Sequence, residues 1–153
     1  LEILIYITLV AMAFSAIGLV LQSGLATRSL AAAQIRLVEQ QRLVEWTLLS
    51  RLEQSGGMTT PASGTSTTLQ IESPTASENP VTFAVSGNVL TMQLGTNPAV
   101  NLTPSDVRVT NFTVERLDGS PASLIIMIEF ETDTASGTVV SETSTITYTL
   151  RYD

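Results

Sequence analysis

Residues Leu1 to Leu21 read LEILIYITLVAMAFSAIGLVL, and Glu2 is the only charge before Arg28. A run of about 20 apolar residues is long enough to cross a bilayer core as a helix. The helical pattern continues beyond it. Leu30, Ala33, Leu37, Val44, Leu48 and Leu52 fall on one stripe at helical spacing. Ile35, Val38, Trp46 and Leu49 form a second apolar patch on a different side. A helix lying on one globular domain needs only one stripe, so the second predicts contact with something else. Ser55-Gly56-Gly57 supplies the stop. The pattern predicts one helix from Leu1 to Gln54, roughly 80 Å long at about 1.5 Å per residue. That exceeds what the remaining residues need for packing, so the excess projects into a membrane or an assembly. No proline precedes Pro61, and any local loosening of the helix would fall at Gly18 and Gly24.

Beyond the helix the period changes to two. Thr59 to Thr68 (TTPASGTSTT) and Ser73 to Pro80 (SPTASENP) read as loops. Val81, Phe83 and Val85 alternate, then Leu90, Met92 and Leu94, with Gly87-Asn88 between them as a tight hairpin turn. Val107 and Val109 are followed by Phe112 and Val114, a phase slip that predicts an irregularity near Asn111. Leu124 to Phe130 is the strongest strand, Asp133 to Gly137 is a loop, and Thr138 to Tyr152 is a final Thr-rich strand. Four to six antiparallel strands against the second half of the helix is the economical architecture. The fold class is α+β: a long N-terminal α-helix, apolar in its first half, packed by its second half on an antiparallel β-sheet head. Three segments follow: 1–24, a transmembrane or filament-core helix; 25–55, its amphipathic continuation; and 56–153, a β-rich globular head.

Charge follows the same division. Glu2, Glu39, Glu45 and Glu53 balance Arg28, Arg36, Arg42 and Arg51, so the head carries the whole net charge of −7. A body that acidic repels nucleic-acid phosphates. There is no Cys and no His, which removes thiol nucleophiles, disulfides, histidine bases and the common zinc sites. The basic residues are all arginine, so the abundant Ser and Thr lack a usual base. Glu129 and Glu131 flank Phe130 on one strand face and read as a solvent face rather than a paired acid–base site. The Asp133 loop lacks the dense Asp/Asn spacing of a calcium site. Asn101-Leu102-Thr103 and Asn111-Phe112-Thr113 fit the glycosylation triplet, a pattern that chance often produces. No cofactor, metal site or enzymatic activity is expected.

Glu2 is the most informative residue of the apolar half. A carboxylate in a bilayer or an apolar bundle costs about 2.5–3.5 kcal/mol even on lenient scales. The nearest basic side chain, Arg28, lies about 39 Å away along a continuous helix. Two readings stand: Glu2 pairs with a group outside this stretch, or it sits among headgroups and favours the helix dipole.

The opening LEILIYITLVAMAF resembles the start of a mature type IV pilin or pseudopilin. In that family a short basic leader is cut off before an apolar helix, the new N-terminal residue is N-methylated, and a glutamate follows shortly after. Glu2, with Leu1 before it and Ile3-Leu4-Ile5-Tyr6-Ile7 after it, matches that glutamate and its apolar run. The resemblance puts about three residues ahead of Leu1, including the methylated one. Many members have a helix-breaking proline in the apolar half and a disulfide near the C-terminus; this chain has neither. The order of long helix, loop and meander of hairpins is similar to the pilin head.

The resemblance implies a structural subunit of a type IV pilus, or fimbrium, or a related surface filament. Its assembly residues would be Leu1, Glu2, Ile3, Leu4, Ile5, Tyr6, Ile7, Leu9, Val10, Phe14, Ile17 and Leu19. The partners would be identical subunits in a helical filament, the inner membrane before assembly, and the pilus assembly machinery. The location would be the inner membrane first and an extracellular filament later, with cell adhesion as a family role. Glu2 would pair with the N-terminal amine of a neighbouring subunit. One alternative keeps the fold and changes the job: a minor pilin or pseudopilin of a secretion or uptake system. Another is a single-span membrane-anchored β-domain binding protein.

Overall fold

The structure, a computed structural model, describes residues 2–151. Helix α1 spans Glu2–Gln54 without interruption. The helix runs unbroken through Gly18 and Gly24, as the expectation of one continuous helix has it. A glycine inside a helix costs only about 1 kcal/mol relative to alanine, and no proline removes a backbone donor here. The helix stops at Ser55, whose N–H and Oγ both donate to the Leu52 carbonyl, at 3.2 and 2.7 Å.

Nine strands follow among the described residues: β1 (Gly57–Thr60), β2 (Gly64–Ser66), β3 (Thr68–Glu72), β4 (Val81–Ser86), β5 (Val89–Leu94), β6 (Val100–Asn101), β7 (Val107–Leu117), β8 (Ser123–Asp133) and β9 (Val139–Thr149). They form two antiparallel sheets, ordered β1-β3-β4-β5-β6 and β2-β7-β8-β9. The single sheet expected from sequence is therefore divided. The stretch Thr59–Thr68, read as a loop, supplies strand residues to both: β1 pairs with β3, and β2 pairs with β7. These pairings give Ser/Thr/Gly-rich backbone a ladder that its composition does not advertise.

Local signals elsewhere held. Gly87 and Asn88 take φ +57° and +65°, the two left-handed positions of a tight hairpin turn, between β4 and β5. The β7–β8 register slips between Val109 and Asn111, where the alternation slips in the sequence. Gly95 is also required: at φ +55° an added Cβ would stand 2.7 Å from the Ser77 carbonyl oxygen.

One core joins everything. From α1 it takes Leu37, Val44, Leu48 and Leu52; from the first sheet Leu69, Ile71, Val81, Phe83 and Leu90; from the second Val107, Val109, Phe112, Val114, Leu124, Ile126, Ile128, Phe130 and Ile146. The helix packs against β8 and β9. Leu30 departs from the expected stripe, at 40% exposure, because it lies where the head stops covering the helix. Ala33 and Leu37 begin the buried part.

Leu48 is fully buried between helix and sheets. Leu48→Ala should cost about 2–5 kcal/mol through lost burial and a cavity. Gly95→Ala should also destabilise, by strain at its turn. Denaturant unfolding followed by circular dichroism measures both, and an unchanged midpoint for Leu48→Ala would contradict the helix–sheet packing described.

Candidate functional site

The candidate site is the part of α1 that the head leaves bare. Every residue from Glu2 to Arg28 is exposed. Among the expected assembly residues, Ile3, Leu4, Ile5, Tyr6, Ile7, Leu9, Phe14, Ile17 and Leu19 are each more than half exposed, and Val10 is 41% exposed. Leu1 lies outside the described residues. Among the described residues this is one helix long and apolar enough to cross a membrane. Glu2 stands in the first turn, where its carboxylate suits the positive end of the helix dipole.

The polar atoms within the bare half show a feature that apolar counting missed. Thr8 donates to the carbonyls of Leu4 and Ile5, Ser15 to Ala11, Ser23 to Val20, Thr27 to Ser23 and Ser29 to Ala26, at 2.8–3.1 Å. Each hydroxyl is thus satisfied within the helix and needs no water. The signal was present in the sequence, since a helical Ser or Thr always has the preceding turn's carbonyls within reach.

The bare surface extends beyond residue 28. Ile35 is 59% exposed, Val38 38% and Trp46 70%. Trp46, in the patch expected to meet something other than the head, is left uncovered by the head. Leu49 does, at the margin of the core. The second apolar patch is therefore mostly uncovered, on a segment whose other side is buried.

Polar contacts fix the helix on the head and so fix which side is bare. Ser144 Oγ donates to Glu45 Oε1 at 2.5 Å, and Gln41 Nε2 donates to the same oxygen at 2.8 Å. Arg51 reaches Glu78 at 3.1 Å, and Arg36 faces Asp106 at 3.6 Å on the surface. On the far edge Arg108 makes two bonds to Asp133, at 2.6 and 3.0 Å, and lies 3.9 Å from Glu131. The hydrogen bond from Arg108 holds the Asp133 carboxyl below its ordinary range. Glu129 and Glu131 share the half-buried outer face of β8, while Phe130 is in the core. Among the described residues no three metal-ligating side chains come together.

Fold and site together define a class: an antiparallel β head on a projecting apolar helix, an arrangement compatible with a pilin-like subunit. No family model, curated protein or solved structure matches the chain.

The Asp133 pair gives a pH prediction. A carboxyl whose folded-state pKa is depressed adds stability above its unfolded pKa, near 4, and that stability is lost as pH falls through the folded value. Asp133→Asn should therefore flatten the acid side of the stability profile slightly and leave neutral stability nearly unchanged, since the pair is exposed. Thermal melts of both chains between about pH 2 and 7 check this.

Proposed function

We propose that this chain is a structural subunit of a type IV pilus-like filament, anchored in the inner membrane before assembly and placed in an extracellular filament afterwards. The observation that carries the reading is the helical half from Ile3 to Leu25, apolar, uncharged and uncovered by its own head. Left in water, such a patch is an aggregation liability. Lipid and a bundle of apolar helices are similar solvents for it, so the same segment can exchange one for the other. The partners are then other copies of the chain, and the role is assembly rather than catalysis.

A single-span anchor carrying a β domain uses the same first half. The strip of Ile35, Val38 and Trp46 favours the filament. Trp46 lies about 38 Å beyond Leu21 along the helix, farther than the roughly 30 Å depth of a hydrocarbon core. A bilayer holding residues 3–21 cannot also cover Trp46, whereas neighbouring protein can.

Glu2 supplies the test. In this reading its carboxylate meets an N-terminal amine, most readily a neighbour's. Glu2→Gln and Glu2→Leu should both leave membrane insertion and head stability intact. Filament yield should fall by about tenfold or more, the scale of one charge-assisted bond lost in an apolar setting. Fractionation, melting and electron microscopy of sheared surface fibres separate the three effects. Normal yield and length in both variants would leave Glu2 as a helix-end residue near the headgroups.

A chain beginning at residue 25 should be soluble and monomeric with its head folded, as judged by sedimentation and circular dichroism. Fibres from that shortened chain would remove the first helical half from the role of assembly element.

A further inference from the structure

The two Asn-x-Thr triplets of the head have opposite fates in the fold. Asn101, on β6, is exposed, but the third residue of its triplet is not. Thr103 is 1% exposed, and its Oγ1 accepts the Leu90 N–H at 3.1 Å. That hydroxyl belongs to the interior of the head, and nothing outside reaches it.

In the second triplet, Asn111-Phe112-Thr113, the middle residue is the buried one. Phe112 joins the core, while Asn111 is exposed and Thr113 half-exposed. Residues two apart on a strand share a face. Asn111 and Thr113 therefore stand together on the outer face of the second sheet, across from Glu129 and Met127 of β8. Thr113 Oγ1 donates to Asn111 Oδ1 at 2.9 Å. The bond ties the amide oxygen to the triplet's own hydroxyl. It leaves the two Nδ2 hydrogens without an acceptor among the described residues.

The backbone at Asn111 is also less constrained than the rest of β7. The register passes from Val109 opposite Phe130 to Asn111 opposite Glu129, so Thr110 has no opposite residue. Such a bulge bends the strand and interrupts its ladder. On the other side of β7, β2 pairs only with Val114 to Arg116. Asn111 thus sits beside an irregularity, on a stretch held by one neighbouring strand among the described residues. A triplet placed there presents both of its reactive side chains to solvent and can yield locally to an enzyme without opening the core.

We propose that Asn111, and not Asn101, is an N-glycosylation site of the folded head. The donor is a sugar carried on a lipid phosphate, brought by a membrane glycosyltransferase. Asn111 Nδ2 attacks the anomeric carbon of that sugar. The nitrogen–carbon bond forms as the bond from the same carbon to the phosphate oxygen breaks. The lipid phosphate leaves with the electron pair, and the amide gives one proton to a base of the transferase. The attached glycan projects from the face opposite the core, where it meets neither the helix–sheet packing nor the bare helix half. The proposal rests on the head lying outside the cytoplasm, which the filament and the membrane-anchor readings share.

Mass spectrometry of the full chain isolated from the cells that make it tests this. Arg108 and Arg116 flank the site, so trypsin releases residues 109–116 (VTNFTVER) as one peptide. That peptide should carry sugar, with fragment ions placing it on Asn111. Asn111→Gln and Thr113→Val should each lose the modification, and Thr113→Ser should retain it. Asn101→Gln should leave the mass of the glycan unchanged. An unmodified 109–116 peptide would overturn the proposal. Sugar on Asn101, alone or together with Asn111, would overturn the selection by the folded head, as would full modification of Thr113→Val. The orientation is read separately. The chain has no cysteine, so Ala62→Cys, at an exposed position, reports on the head through a membrane-impermeant maleimide applied to intact cells. A labelled head with an unmodified peptide removes the glycosylation alone, whereas an unlabelled head with an unmodified peptide removes the outward orientation with it.

Discussion

The burial of Leu37, Val44, Leu48 and Leu52 against the two sheets organises the rest of the molecule. Each such side chain contributes about 1.5–3 kcal/mol when fully removed from water. Together they clamp the second half of a helix that would otherwise have no defined relation to the head. The clamp also determines what is left over. Once that stripe faces inward, the opposite side of the helix, with Ile35 and Trp46, must face outward. Polar contacts then remove the remaining freedom. Glu45 accepts from Ser144 and Gln41, so rotation of the helix about its axis would break two bonds as well as expose the stripe.

The bare half can exist because an α-helix satisfies its own backbone. Its N–H and C=O groups need neither water nor a sheet, and its Ser and Thr hydroxyls bond to the preceding turn. Such a segment tolerates any apolar surrounding. A strand in the same position would need lateral partners before it could leave water. The helix is therefore the element that can be handed from lipid to protein without refolding.

What the sequence made legible was local. The helix needed only its period and the absence of proline, and the Gly87-Asn88 turn only two residues able to take positive φ. The slip near Asn111 was visible because Val109 and Phe112 could not both face the core on a regular strand. The division into two sheets was not legible. It depends on β2 pairing with residues 114–116 while β3, just after it in the chain, pairs with β4. Nothing in GTS states that preference; the partner strand does. The candidate site divided in the same manner. Its apolar run and Glu2 were plain, whereas the exposure of Trp46 depends on where the head lies.

The uncovered strip also bears on how copies could be arranged in the filament reading. The apolar half from residue 3 to 25 is about 33 Å long, and the segment from 25 to 49 is about 36 Å long at the same rise. The two lengths agree closely. A neighbour displaced along the axis by one such length would lay its apolar half beside the bare side of this chain's second half. The head occupies the buried side of that second half, so the neighbour can approach only from the Ile35 and Trp46 face. Copies without such a displacement would set second half beside second half and bring their acidic heads to the same level. The net charge of −7 resides in those heads and disfavours that arrangement, most strongly at low ionic strength. Stagger is thus favoured twice, by the cover it provides for the apolar strip and by the separation it gives the charge.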